Sequence, residues 1–258
     1  MALHPSLLDL AEAAPRCESE ASARGVLAES LELLRNALEH GEKEVALAAW
    51  FSRVVGDVIH SPALASPVRL TGAFGRGDGL PTIPVVYLGR DERVASLLDA
   101  VGLKHASSDD TLARRVDSGL PVGAGGELEL LRDALAKRPP ALRLIDGLPD
   151  RNVEVDVQST LLAPIAAIAR WAAPSPRPTP DRLAIAGERE LLQLSEVEAL
   201  TTAWETGLKI ELGRWYDHVS DHPVVLADLT PFTRTAYGSA TRTVSEVLSS
   251  LEAREYRS

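Results

Sequence analysis

Val68-Arg69-Leu70-Thr71, then Gly72-Ala73-Phe74-Gly75-Arg76-Gly77-Asp78-Gly79, then Ile83-Pro84-Val85-Val86-Tyr87-Leu88: the fold turns on this run. The first four residues are short, partly alternating and β-prone. The last six form a near-continuous apolar run in which Val85, Val86 and Tyr87 favour a strand. Between them lies a glycine-rich turn. The arrangement predicts a hairpin or two adjacent buried strands joined by backbone that glycine alone leaves free to approach a ligand.

Outward from this run the character is helical. Leu27, Leu31, Leu34 and Leu38 share one helical face, and His40-Gly41 punctuates. A second helix carries Val45, Ala48, Phe51, Val55 and Ile59, and Ser61-Pro62 ends it. On the other side, residues 92–101 return to helix with Gly102 as its C-cap. Ser108-Asp109-Asp110 is read as the cap of a helix through Val116, and Glu127 to Lys137 as a further helix. Leu142–Ile145 and Val153–Val157 are the last strand candidates. Val153, Val155 and Val157 alternate strictly with Glu154 and Asp156, the pattern of a half-buried strand.

Beyond 158 the chain reads as all helix. Leu161 to Ala173 is apolar, and Pro174 to Pro180 is a stiff linker or long loop. Ser195 with Glu198 has the form of a capping box, opening a helix with Val197, Leu200, Trp204, Leu208, Leu212, Trp215 and Val219. A last helix spans about 232–256. The fold class is therefore α+β: N-terminal helices (1–62), a small mixed-sheet domain (63–158) and an all-α helical bundle (159–258).

The 258 residues include 27 Lys+Arg against 37 Asp+Glu, a formal charge of −10. Such a surface argues against nucleic acid and against anionic membranes. No apolar run reaches the length of a membrane span, and no secretory signal is visible at the N-terminus. The single cysteine, Cys17, excludes an internal disulfide framework and points to a reduced, cytoplasmic setting. It sits near an N-terminus expected to be mobile and lacks an activating pattern.

Chemistry concentrates at the glycine turn. Gly72, Gly75 and Gly77 let backbone N–H groups face an anion, and Arg76 adds a fork of donors for phosphate. The spacing matches neither the P-loop nor the dinucleotide fingerprint, and on spacing alone a flexible surface hairpin is the favoured reading. His218 and His222 stand four apart beside Asp217 and Asp221. Pro223 follows at once and no third ligand is evident, so a solvated helix end is expected, not a zinc site. Trp171, Trp204 and Trp215 are expected to anchor helix packing.

The order strand, Gly72-Ala73-Phe74-Gly75-Arg76-Gly77-Asp78, strand resembles the bacterial nucleotidyltransferase proteins that follow CBS and cyclic-nucleotide-binding domains, relatives of the PII uridylyltransferases. Those carry Gly-Ser-x-Gly-Arg-x-Glu and, about six residues on, Asp-x-Asp. The helical half is similar to the same family's substrate-binding domain. Val155-Asp156-Val157, Leu162-Ala163-Pro164-Ile165, Ala169-Arg170-Trp171-Ala172, Thr179-Pro180-Asp181-Arg182-Leu183 and Leu229-Thr230-Pro231-Phe232-Thr233-Arg234 fall in the family's order. The resemblance covers most of residues 20–256.

The departure carries the functional expectation. Ala73 stands for the family's Ser and Asp78 for its Glu. The two strand carboxylates, which in the family hold the divalent metals bridging nucleotide phosphates, fall here on Ile83 and Val85. The resemblance thus implies a regulatory, signal-transducing or partner-binding pseudoenzyme without a metal site. Gly72, Gly75, Arg76 and Gly77 would be its nucleotide- or phosphate-binding residues, and a protein partner or homo-oligomer would be its means of action. Two alternatives stand beside it. One is an active uridylyl or adenylyl transferase that uses Mg²⁺ with Asp78 and Asp146 or Asp156. The other is a helical interaction module with no ligand.

Overall fold

The computed structural model describes residues 3–123, 125–140, 144–145, 148–220 and 222–255. The chain folds as two compact units: Met1–Val122 with Ser175–Pro178, and Gly123–Pro174 with Thr179–Ser258. The boundaries read from composition at 62 and 158 fall inside these units.

The first unit opens with α1 (Pro5–Ala13), a 3₁₀ turn (Ala14–Arg16), α2 (Glu20–Glu39) and α3 (Glu44–Ile59). Ser19 caps α2 through the N–H of Ser22, whose hydroxyl returns the contact. Of the predicted leucine stripe, Leu27 and Leu34 are buried while Leu31 and Leu38 are half-buried. The N-terminal segment is tied down. The Trp50 indole donates to the Leu7 carbonyl at 2.7 Å, and Leu7, Leu10 and Ala11 are buried. Cys17 is buried with them, and its carbonyl accepts the Ala63 N–H at 2.8 Å, which corrects the expectation of a mobile terminus. Burial pushes the Cys17 thiol up despite a lowering hydrogen bond with Ser22, so the group is not a ready thiolate.

A three-stranded mixed sheet follows. β1 (Arg69–Thr71) runs antiparallel to β2 (Val85–Leu88), pairing Leu70 with Tyr87. β3 (His105–Ser108) runs parallel to β2, pairing Val85 with His105, so β2 is central. α4 (Gly72–Arg76) links β1 towards β2, α5 (Glu92–Ala100) crosses from β2 to β3, and α6 (Leu112–Asp117) follows β3. Asp91 caps α5 through the N–H of Arg93. Of the residues expected to cap the next helix, Ser108 instead ends β3, and Thr111 caps α6 by accepting the Arg114 N–H.

In the second unit, α7 (Gly126–Ala136) precedes a two-stranded ribbon of β4 (Leu144–Ile145) and β5 (Leu148–Pro149). A π-helical turn (Gln158–Leu162) runs into α8 (Ala163–Ala172), followed by α9 (Thr179–Glu188), α10 (Leu194–Tyr216) and α11 (Pro231–Glu255). The expected strand at Val153–Val157 does not form. Val155 and Val157 are buried and Glu154 and Asp156 exposed, but the pairing stops at one antiparallel bridge to Val225, in which the Val155 N–H donates to the Val224 carbonyl and the Leu226 N–H to that of Val153, before the chain enters the helical turn. The α10 cap lies two residues earlier than expected, with Glu196 accepting the Gln193 N–H at 2.9 Å. Ile165, Ala169, Leu183, Leu200, Trp204, Leu208, Val244 and Leu248 form this unit's core. Trp171 and Trp215 are only half-buried, leaving Trp204 as the buried anchor. Among the described residues no helix is long and apolar enough to cross a membrane.

Candidate functional site

β1 delivers the chain into the glycine turn, and sterics fix its course. Gly72 has φ +62°, a left-handed conformation that glycine accepts without strain. A Cβ on Gly75 would stand 2.6 Å from the Asp117 carbonyl oxygen and 2.7 Å from that of Leu70. α4 is therefore pressed between the end of β1 and the end of α6. Gly77, at φ +88°, closes α4 as a left-handed C-cap. The predicted hairpin turn is thus one tight helical turn whose glycines serve backbone packing.

Arg76 points inward. Its Nε donates to the Asp78 carboxylate at 2.6 Å and its Nη1 to Asp117 at 3.2 Å. Arg76, Asp78 and Asp117 are 8%, 2% and 1% exposed. Burial by itself lowers the arginine's pKa. Attraction to Asp117 and Asp78 outweighs it and holds the group above its ordinary value. Two carboxylates do converge beside the glycine turn, and a guanidinium fills the space between them. Neither aspartate is free to act as an open ligand set while Arg76 stands there.

A second cation occupies the mouth of the turn. A Cβ on Gly72 would run into Nη1 of Arg114, so the guanidinium lies where a side chain at that position would stand. The Arg114 carbonyl in turn accepts from the Thr71 hydroxyl at 2.6 Å, fixing α6 to the end of β1. The other side is covered by the proline segment. Pro178 Cγ lies 3.3 Å from the Cβ position of Gly77, and Pro176 Cγ 3.2 Å from that of Gly119. Gly72 to Phe74, Arg76, Asp78 and Gly79 are all buried, so the turn is not an open phosphate cradle.

Sequence reasoning missed Arg114 and Asp117. Each follows the turn by some forty residues, in a short helix with no local signal of chemistry.

The remaining expected acids lie elsewhere. Asp156 belongs to the second unit, where it accepts the Ser159 N–H at 2.9 Å and starts the π-helical turn. Asp146 lies outside the described residues. Ile83 precedes β2, and Val85, its first residue, is 0% exposed. Neither offers an oxygen, and hard divalent cations require oxygen ligands. The residues at the turn therefore do not fit Mg²⁺. Among the described residues no three His, Cys, Asp or Glu side chains gather as a metal site. α10 ends at Tyr216, and His218 and His222 are both exposed beyond it. Asp221 is outside the described residues.

Compared with protein-family models, with curated proteins and with solved structures, the chain gives no match.

Proposed function

We propose that this chain is a nucleotidyltransferase-like pseudoenzyme of the cytoplasm, in which an internal arginine stands between the carboxylates and the protein works by binding another protein. The reading rests on the sequence resemblance, and one observation carries its catalytic half. Arg76, the residue expected to meet phosphate, is engaged by Asp78 and Asp117 inside the fold. Nucleotidyl transfer depends on positioning and on charge stabilisation by metal ions. The apolar Ile83 and Val85 supply neither. The order of a strand, a glycine turn, an antiparallel strand, a helix and a parallel strand supports the small mixed-sheet part of the resemblance.

The convergence of Asp78 and Asp117 is the one observation that favours the active alternative, since Arg76 would have to leave for a metal to enter. Calorimetry with ATP and with UTP, each with and without Mg²⁺, separates the readings. So does an assay for transfer of labelled nucleotide to protein. No metal-dependent binding and no label transfer are expected. Metal-dependent binding that Asp117→Asn weakens would overturn the pseudoenzyme reading.

A further inference from the structure

α2 presents two faces. Ala23, Leu27, Ser30, Leu34 and Ala37 are buried within the first unit. The other face lines an open groove of about 630 Å³, with Arg24, Gly25, Ala28, Leu31 and Glu32 along α2 and Val101 at the end of α5. Gly25 is the informative residue. A glycine inside a helix costs about 1 kcal/mol relative to alanine, and its Cβ position has nothing within 4 Å. No contact within the chain requires glycine there.

We propose that this groove is where a second copy of the chain docks, α2 against α2 in antiparallel orientation about a two-fold axis at Ala28. In such a crossing, residues equally far before and after the axis face one another. Ala28 then meets Ala28 of the second copy, and small residues at the crossing allow close helix axes, about 8–10 Å apart. Gly25 faces Leu31 of the second copy, and the open space over Gly25 receives that leucine. Arg24 faces Glu32 of the second copy, and symmetry makes this pair twice. A parallel arrangement would instead set Arg24 on Arg24 and Glu32 on Glu32. Glu32 already bonds Arg35 at 2.8 Å, yet its side chain is 70% exposed, and a carboxylate accepts a second guanidinium.

The face is therefore complementary to itself in shape and in charge, which an unrelated partner would have to reproduce. The stretch Ala21 to Arg35 is only about 21 Å long, so the interface falls at the small end of the range and the dimer is weak, with a Kd on the order of micromolar.

Sedimentation velocity of the full chain, from low to high micromolar concentration, tests this directly. The wild-type chain is expected to pass from monomer to dimer. Gly25→Leu projects into the groove from a Cβ position that has nothing of its own chain within 4 Å. It should melt no lower than wild type by circular dichroism and weaken the dimer at least about tenfold, the equivalent of 1.4 kcal/mol. Arg24→Glu and Glu32→Arg should each weaken self-association. Their equimolar mixture should dimerise, because every side chain at 24 then meets the opposite charge at 32. A chain that stays monomeric throughout, a dimer that Gly25→Leu leaves intact, or a mixture no better than either variant alone would each overturn the proposal.

Discussion

Asp117, at the end of α6, accepts from Nη1 of Arg76 at 3.2 Å across 41 positions of sequence. The contact locks the glycine turn to the far end of the unit's α/β segment, and both side chains are buried. Removing one partner of a buried ion pair leaves uncompensated charge and costs about 3–5 kcal/mol. Arg76→Ala removes the cation that two buried carboxylates share and is expected to lose stability in that range by urea denaturation. Asp117→Asn leaves Arg76 balanced by Asp78 at 2.6 Å. That variant should cost nearer 1 kcal/mol, the size of one hydrogen bond.

Two glycine-to-alanine changes should act in opposite directions. At Gly75 the new methyl meets backbone oxygens at 2.6 and 2.7 Å, which cannot swing aside as a side chain would. A loss of about 2–3 kcal/mol is expected, as for overpacked sites. At Gly25 the methyl meets nothing within 4 Å. Dilute, monomeric Gly25→Ala should gain up to about 1 kcal/mol from helix propensity. Thermal melts of the two variants against wild type decide the matter.

Trp50→Phe keeps an aromatic ring but removes the N–H that the Leu7 carbonyl accepts. Losing that one buried hydrogen bond is expected to cost about 1 kcal/mol. The effect should concentrate in α1. Limited proteolysis should cut the variant faster in the first sixteen residues, with the rest of the chain protected as in wild type.

Glu196 gives the second unit a pH dependence. Burial pushes its carboxyl up. The Gln193 N–H and the Arg254 guanidinium, with Ser250, outweigh burial and hold it below the ordinary glutamate value. Arg254 reaches both carboxylate oxygens, at 2.5 and 2.7 Å. A group with a lowered folded pKa contributes stability that is present above its unfolded value and lost as pH falls through the folded one. That window opens downward from about pH 4.3. Glu196→Gln should flatten the fall of unfolding free energy there and leave the slope near neutral pH unchanged.

The central strand and β1 beside it were legible because their side chains carry the signal. Val85 and Tyr87 bury one face of β2, and the leucines of α2 repeat at helical spacing. β3 was not legible. His105-Ala106-Ser107-Ser108 is a polar edge strand, half to fully exposed, with no alternation to read. Val153 to Val157 misled for the opposite reason. The segment does pair with Val224 to Leu226, but through a single antiparallel bridge, because the chain turns into the π-helical turn before a ladder can extend. At the site, the glycines and Arg76 were found by type. Their direction was not, because the acid that turns Arg76 inward comes from α6.

Ser175–Pro178 belongs to the first unit although about fifty residues of the second unit precede it in the chain. The cover over Gly77 and Gly119 is thus delivered late. As the chain leaves the ribosome, α1 to α6 emerge long before the prolines that close over them, and the first unit stays unfinished until synthesis has passed Pro178. A fragment cut at Val122 would have every strand of the mixed sheet yet expose the glycine turn. It would be a poor stand-in for the whole chain in any binding experiment.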